Sequence, residues 1–257
     1  MAQNKSLNPL EDLKKKVFEL NKKKKINILI GTPAFGGLCN TEYTESLIQT
    51  MFLLGSLNIS CQVKFINNQI VTRARNMIST QFYNNTSFTH LFFIDADITW
   101  RPEYVLMLLE HEKECMIGVY PTKGYFYDDN KILRVNPSSN FKYPPEEDST
   151  KKLIKIRFGA TGFMLISREA FIKVKPDVET FTLKVDNKTK KKETLINFFD
   201  CNVVDDNYLT EDYYFSYLLN KNGGEIWADK RINLIHIGSH GYGSLIRNFN
   251  KNVTNKV

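Results

Sequence analysis

No run of about 18 apolar residues occurs in the sequence, so no segment reads as a membrane-spanning helix. The first 25 residues lack the apolar core of a secretory signal, and the location implied is the cytoplasm. Cysteine is sparse. The four present, Cys39, Cys61, Cys115 and Cys201, stand far apart with no CxxC pair, which excludes a zinc cluster or disulfide framework and implies reduced thiols. Without an export signal, the sequons at Asn58, Asn85, Asn187 and Asn252 read as unglycosylated. Internal repeats and Pro/Gly-rich linkers are also missing. One main domain over 26–243 is therefore expected, with a basic helical extension at 1–25 and a tail at 244–257. With 257 residues, 42% hydrophobic, the chain is long enough to bury a core without disulfide or metal staples.

Positive charge is in excess, at +7 net, and it gathers in Lys22–Lys25 and in Lys188 with Lys190–Lys192. Neither block contains the arginines or interleaved aromatics that read bases, so both are read as solvated faces, and no nucleic-acid partner is expected.

What the chain does have is an ordered alternation of apolar runs. Leu10, Leu13, Val17 and Leu20 predict a helix over 9–25; the run 26–30 predicts a buried strand entering the glycine-rich loop Gly31–Gly37. A helix is predicted over 42–57, a strand over 61–66, a helix over 71–83, and a central strand at Leu91–Ile94 that ends in Asp95-Ala96-Asp97. Pro102 opens a helix to Glu112, and 116–120 reads as a further strand. This β-α-β-α-β-α-β order predicts an α/β fold, a Rossmann-like, mostly parallel sheet flanked by helices. The stretch 122–150 shows no sustained period and reads as a loop or lid. Strands are predicted at 153–158 and 163–166 around Gly159–Gly162, then a helix capped by Ser167 and a charged hairpin tip at 186–193. A last helix over 211–220, capped by Thr210 and closed by Gly223-Gly224, precedes strands at 225–228 and 232–236.

Two carboxylates one residue apart at the end of a buried strand are costly unless a cation faces them. Asp95 and Asp97 are thus candidate ligands of Mn2+ or Mg2+, at the strand end where open α/β sheets bind ligands. Thr210-Glu211-Asp212 opens a helix, where acidic residues also occur simply because the helix dipole favours them. His236 and His240 flank a glycine-bearing turn and are either ligands or ordinary structural histidines.

Taken in order, Ile28–Gly37, Arg73-Ala-Arg-Asn76, Asp95-Ala-Asp97, Gly159–Gly162, Thr210-Glu-Asp212 and His236-Ile-Gly238 resemble the successive signatures of GT-A-fold glycosyltransferases. The likeness is to family-2-like members and to small enzymes of that kind encoded by large DNA viruses, which would place the chain in a host cytoplasm. It implies a metal-dependent, inverting transfer of a sugar from a nucleotide-sugar, a UDP-sugar, to a saccharide or other hydroxyl acceptor. Asp97 would bind the Mn2+ or Mg2+, with Asp95 on the ribose or a metal-bound water, Ala96 beside the donor, and His236 as a third metal ligand. Asp212 would be the general base and Glu211 an acceptor contact, unless the two exchange roles. Thr32 and Pro33 would line the nucleotide pocket, with Arg73 and Asn76 near the base or ribose. Gly159–Gly162, Gly162 included, would face the donor sugar and the acceptor; Lys123, His240 and Tyr242, by their place in loops near the predicted site, are candidate pyrophosphate contacts or ordinary structural residues. Alternatives are a sugar-nucleotide pyrophosphorylase, for which no early triphosphate-cradling loop is seen, and a non-catalytic module binding a nucleotide-sugar or a polyanion. The segment between Gly162 and Thr210 holds no acceptor motif, and the oligomeric state is not written in the sequence.

Overall fold

The computed structural model describes residues 8–131, 133–184 and 192–243. Most of the tip expected at 186–193 and the tail at 244–257 lie outside them, as do residues 1–7 of the extension.

Nine strands form the main sheet: β1 (Asn27–Ala34), β2 (Ser60–Asn67), β3 (His90–Ile94), β4 (Cys115–Ile117), β5 (Asn140–Phe141), β6 (Glu147–Asp148), β7 (Leu153–Phe158), β8 (Phe163–Ser167) and β9 (Ile226–Asp229). Their order is β2-β1-β3-β8-β4-β9-β7-β5, with β6 also paired to β7. Seven of the nine run in one direction; β8 and β7 run against them. The expected α/β fold with a mostly parallel sheet is thus present, with antiparallel strands inserted that the alternation of apolar runs did not announce.

Alternation along the strands explains the two helical layers. Ile28 and Ile30 face one core with Phe92, Ile94 and Leu165, while Leu29 faces the other with Leu91, Phe93 and Met164. The first layer holds α1 (Pro9–Lys24), α2 (Thr41–Ser56) and α4 (Glu103–Glu110); the second holds α3 (Val71–Asn84), α5 (Arg168–Val174) and α6 (Glu211–Lys221). Asn8 caps α1 and Ser167 caps α5, each side chain accepting a first-turn N–H.

The segment 122–150 is not an irregular loop. Residues Pro121–Tyr127 pair with Leu133–Pro137 in a hairpin, and the rest supplies β5 and β6 to the edge of β7. Its side chains are largely exposed, so selection for one buried face leaves no period-2 signature. The first strand runs on to Ala34, pairing β2 through the glycine-rich loop, and only Phe35–Gly37 turns, with Gly36 and Gly37 at φ 70° and 71°. The helix from Pro102 stops at Glu110, the strand at 116–120 stops at Ile117, and the strand expected at 232–236 is Ile235–Ile237. Ile235–Ile237 joins Ile98–Thr99 and Gly241–Gly243 in a small separate sheet.

Candidate active site

β1 and β3 end on the same edge of the sheet, and β8 begins there, since Phe163 lies opposite Ile94. Asp95-Ala96-Asp97 leaves β3 at this edge and is tied by its backbone to three neighbours. Asp95 N–H donates to the Gly162 carbonyl (3.0 Å), Ala96 C=O accepts from Asn40 at the head of α2 (3.0 Å), and Asp97 C=O accepts from Ile237 (2.8 Å). The small sheet pairs His236 with Ile98, so a residue far along the chain comes to stand beside Asp97.

A cleft of about 420 Å³ opens here, lined by Pro33, Arg75, Asp95, Ala96, Asp97 and His236, with Phe35, Leu38, Ile70 and Val71 at its mouth. Phe35, Leu38 and Ile70 are 84%, 73% and 66% exposed, an apolar rim on a polar floor. His236 Nδ1 donates to the Pro121 carbonyl (2.9 Å), which leaves Nε2 as the nitrogen facing Asp97 Oδ2 at 3.4 Å. Burial opposes the charge of Asp97, but the His236 ring and the Lys123 ammonium hold its carboxyl below the ordinary value.

Asp95 is engaged differently. Its Oδ1 accepts from both Nη atoms of Arg75, at 3.3 and 3.2 Å, and the Nε of the same guanidinium donates to Glu211 Oε1 at 3.1 Å. Burial works against the Arg75 charge, yet Asp95 and Glu211 outweigh it and keep the guanidinium protonated. One buried cation therefore joins the end of β3 to the start of α6. Next to it, burial and the neighbouring Glu211 raise the Asp212 carboxyl above the ordinary aspartate range, against a hydrogen bond from Thr210 (2.6 Å) and its contact with the Tyr213 N–H (2.9 Å). Thr210 stands at the N-cap, but its hydroxyl serves Asp212 rather than a helix N–H.

Several residues singled out from the sequence lie elsewhere. Thr32 is fully buried, its hydroxyl bonded to Tyr43 (2.6 Å), behind the cleft rather than in its lining. Both amide atoms of Asn76 are spent on Asn197 and Phe199, fastening the segment before α6 onto α3. Arg73 is exposed and bonded to Gln69; the arginine in the cleft is Arg75. The sequence did carry a signal for this: Arg75 sits on the stripe Ala74, Ile78 and Phe82 that α3 buries, where a charge demands a partner. His240 is exposed, stacked on Tyr125 and in tilted contact with Tyr242. Gly162 donates its N–H to the Tyr120 hydroxyl (3.2 Å), and a Cβ there would lie 2.4 Å from that oxygen. Gly162→Ala should therefore cost about 1–3 kcal/mol by overpacking, read as a lower urea midpoint with an unchanged slope; an unaltered midpoint would show that Tyr120 yields freely.

Asp95, Asp97 and His236 do not form a compact trio. Among the described residues the three-member acidic and imidazole cluster within ligating reach is Glu110, His111 and Asp229. Arg231 already bonds both carboxylates, Glu110 (2.8 Å) and Asp229 (2.9 Å), so the cluster acts as a tie between α4 and β9. No helix is long and apolar enough to cross a membrane among the described residues.

No protein-family model and no curated protein matches the chain. Solved structures similar to it include A197 from STIV, at 16% identity over 83% of this chain and 86% of that one, with a TM-score of 0.43. GalNAc-T7, crystallised with UDP, GalNAc and Mn2+, matches at 12% identity over 83% of this chain and 44% of its own, with a TM-score of 0.46. The 4-diphosphocytidyl-2C-methyl-D-erythritol synthase of Anaerococcus prevotii DSM 20548 matches at 8% identity over 58% of this chain and 74% of that one, with a TM-score of 0.31.

Proposed function

We propose that this chain is a metal-dependent glycosyltransferase that moves a sugar from a UDP-sugar to a hydroxyl of a saccharide acceptor with inversion at the anomeric carbon. The observation that carries this reading is the convergence of Asp97 and His236 on the floor of the cleft, with Arg75 linking Asp95 to the helix that bears Asp212. A carboxylate oxygen and an imidazole nitrogen 3.4 Å apart, already facing the Lys123 ammonium, fit a site for Mn2+ or Mg2+. Asp97 and His236 would hold the ion, while Asp95, engaged by Arg75, would orient the floor around it. Bound there, a divalent ion supplies Lewis-acid stabilisation of the diphosphate leaving group.

The chain's own groups do the rest. The apolar rim of Phe35, Leu38 and Ile70 would receive the flat face of the base, with the sugar toward Gly162, whose carbonyl accepts the Asp95 N–H. As the acceptor oxygen bonds to the anomeric carbon and the bond to the phosphate oxygen breaks, the hydroxyl proton passes to a carboxylate oxygen of Asp212. A carboxyl raised above the ordinary range by its surroundings is a better proton acceptor than a free aspartate. Glu211, held by Arg75, fixes the first turn of α6 and hence the position of that base.

Calorimetric titration tests the donor site without knowledge of the acceptor. UDP should bind about tenfold tighter or more in the presence of Mn2+, and Asp97→Asn should erase that difference. Equal UDP affinity with and without the metal would sink the proposal.

A further inference from the structure

The cation facing Asp97 in this structure is a side chain. Lys123 extends from the strand Pro121–Tyr127 to Asp97 Oδ2, the same oxygen that His236 Nε2 approaches. Its stem passes over Gly238, where a Cβ would stand 3.2 Å from Lys123 Cδ. The strand is fixed on either side of it. Pro121 lends its carbonyl to His236, and the Tyr125 ring packs on Tyr242 with centroids 4.9 Å apart. Between those anchors the hairpin register is irregular, from Pro121 opposite Pro137 to Tyr125 opposite Val135, so Lys123 lies in a stretch outside the regular ladder. The ion pair is partly open to solvent on both sides, and a lysine is a single mobile point charge rather than a planar fork.

Two cations cannot share one carboxylate oxygen at close range without strong repulsion. A divalent ion placed by Asp97 and His236 must expel the Lys123 ammonium, and the highest local negative charge then arrives with the nucleoside diphosphate. We propose that Lys123 is a displaceable counter-cation: it neutralises Asp97 when the cleft is empty and moves to a phosphate oxygen of the nucleoside diphosphate when the metal takes its place. This rests on the donor-site reading above. It gives Lys123 opposite effects on the two ligands, weakening the ion by competition and strengthening the diphosphate by contact.

Lys123→Met separates the two effects, because it keeps the stem over Gly238 and removes only the charge. Mn2+ binding to the nucleotide-free protein, followed by electron paramagnetic resonance of the free ion, should tighten about tenfold in the variant; UDP binding at saturating Mn2+, followed by calorimetry, should weaken about tenfold. Lys123→Arg keeps the competing charge and should leave Mn2+ binding near wild type. If Mn2+ binds in an Asp97-dependent way but Lys123→Met leaves either affinity unchanged, the counter-cation role is overturned while the donor site stands. If neither protein binds Mn2+ without nucleotide, the counter-cation role falls, and Mn2+-dependent UDP binding alone decides the donor site.

Discussion

Replacing Arg75 by methionine should lower the stability of the fold by about 3–5 kcal/mol, the range for removing one partner of a buried charge pair. The side chain is 5% exposed and serves two carboxylates, Asp95 at the end of β3 and Glu211 at the head of α6. Methionine keeps most of the volume, so the loss isolates the charge from the packing. Asp95 retains some access to water and Glu211 little, which places most of the penalty at Glu211. Arg75→Lys should recover part of the loss, since an ammonium can meet one carboxylate but cannot present Nε to Glu211 and both Nη atoms to Asp95 together. The check is urea denaturation followed by far-UV circular dichroism. An Arg75→Met midpoint equal to wild type would mean that the two carboxylates find other partners, and the coupling of β3 to α6 would have to be abandoned.

On the proposed mechanism, Asp212→Asn should leave the fold intact and remove sugar transfer. The amide oxygen can still accept from the Thr210 hydroxyl and the Tyr213 N–H, the two hydrogen bonds that place the side chain. Burial and Glu211 disfavour the charged form of Asp212, so neutralising it costs no stability at neutral pH and relieves a repulsion. Loss of the proton acceptor should lower kcat by about 10²–10⁴-fold, with UDP binding retained. On the proposed mechanism the Asp212 carboxylate takes the acceptor proton, so kcat/KM should climb with pH across a window displaced upward from that of an ordinary aspartate. Single-turnover transfer from a UDP-sugar, measured across pH in both proteins, decides the matter. If Asp212→Asn keeps more than about a tenth of the rate, the base lies elsewhere.

The alternation of strands and helices was legible because the buried runs Ile28–Ile30 and Leu91–Ile94 and the striped helices α2 and α3 leave strong periodic marks. So was the position of the Asp95-Ala96-Asp97 turn, since a fully apolar strand must end at an edge. The hairpin at 121–137 was not, because an exposed ribbon imposes no pattern on its residues. The distinction between Arg73 and Arg75 was available in the stripe of α3 but needed the helical phase rather than the motif. Thr32 and Asn76 show the opposite difficulty: a polar residue near a strand or helix end looks ligand-facing until its long-range partners, Tyr43, Asn197 and Phe199, are known. The approach of His236 to Asp97 is a product of strand pairing across most of the chain, which no local pattern encodes.

The insertion of β8 between β3 and β4 also dictates when the sheet can close. During synthesis β3 can pair with β1 as it emerges, but its other edge and β4 wait for residues 163–167, and β4 waits again for residues 226–229. The nascent chain thus carries open backbone edges in its most apolar segments for much of translation. Topologies of this high contact order fold slowly and favour assembly after release over growth from the N-terminus, with a window in which edge-to-edge pairing between copies competes with the native strand.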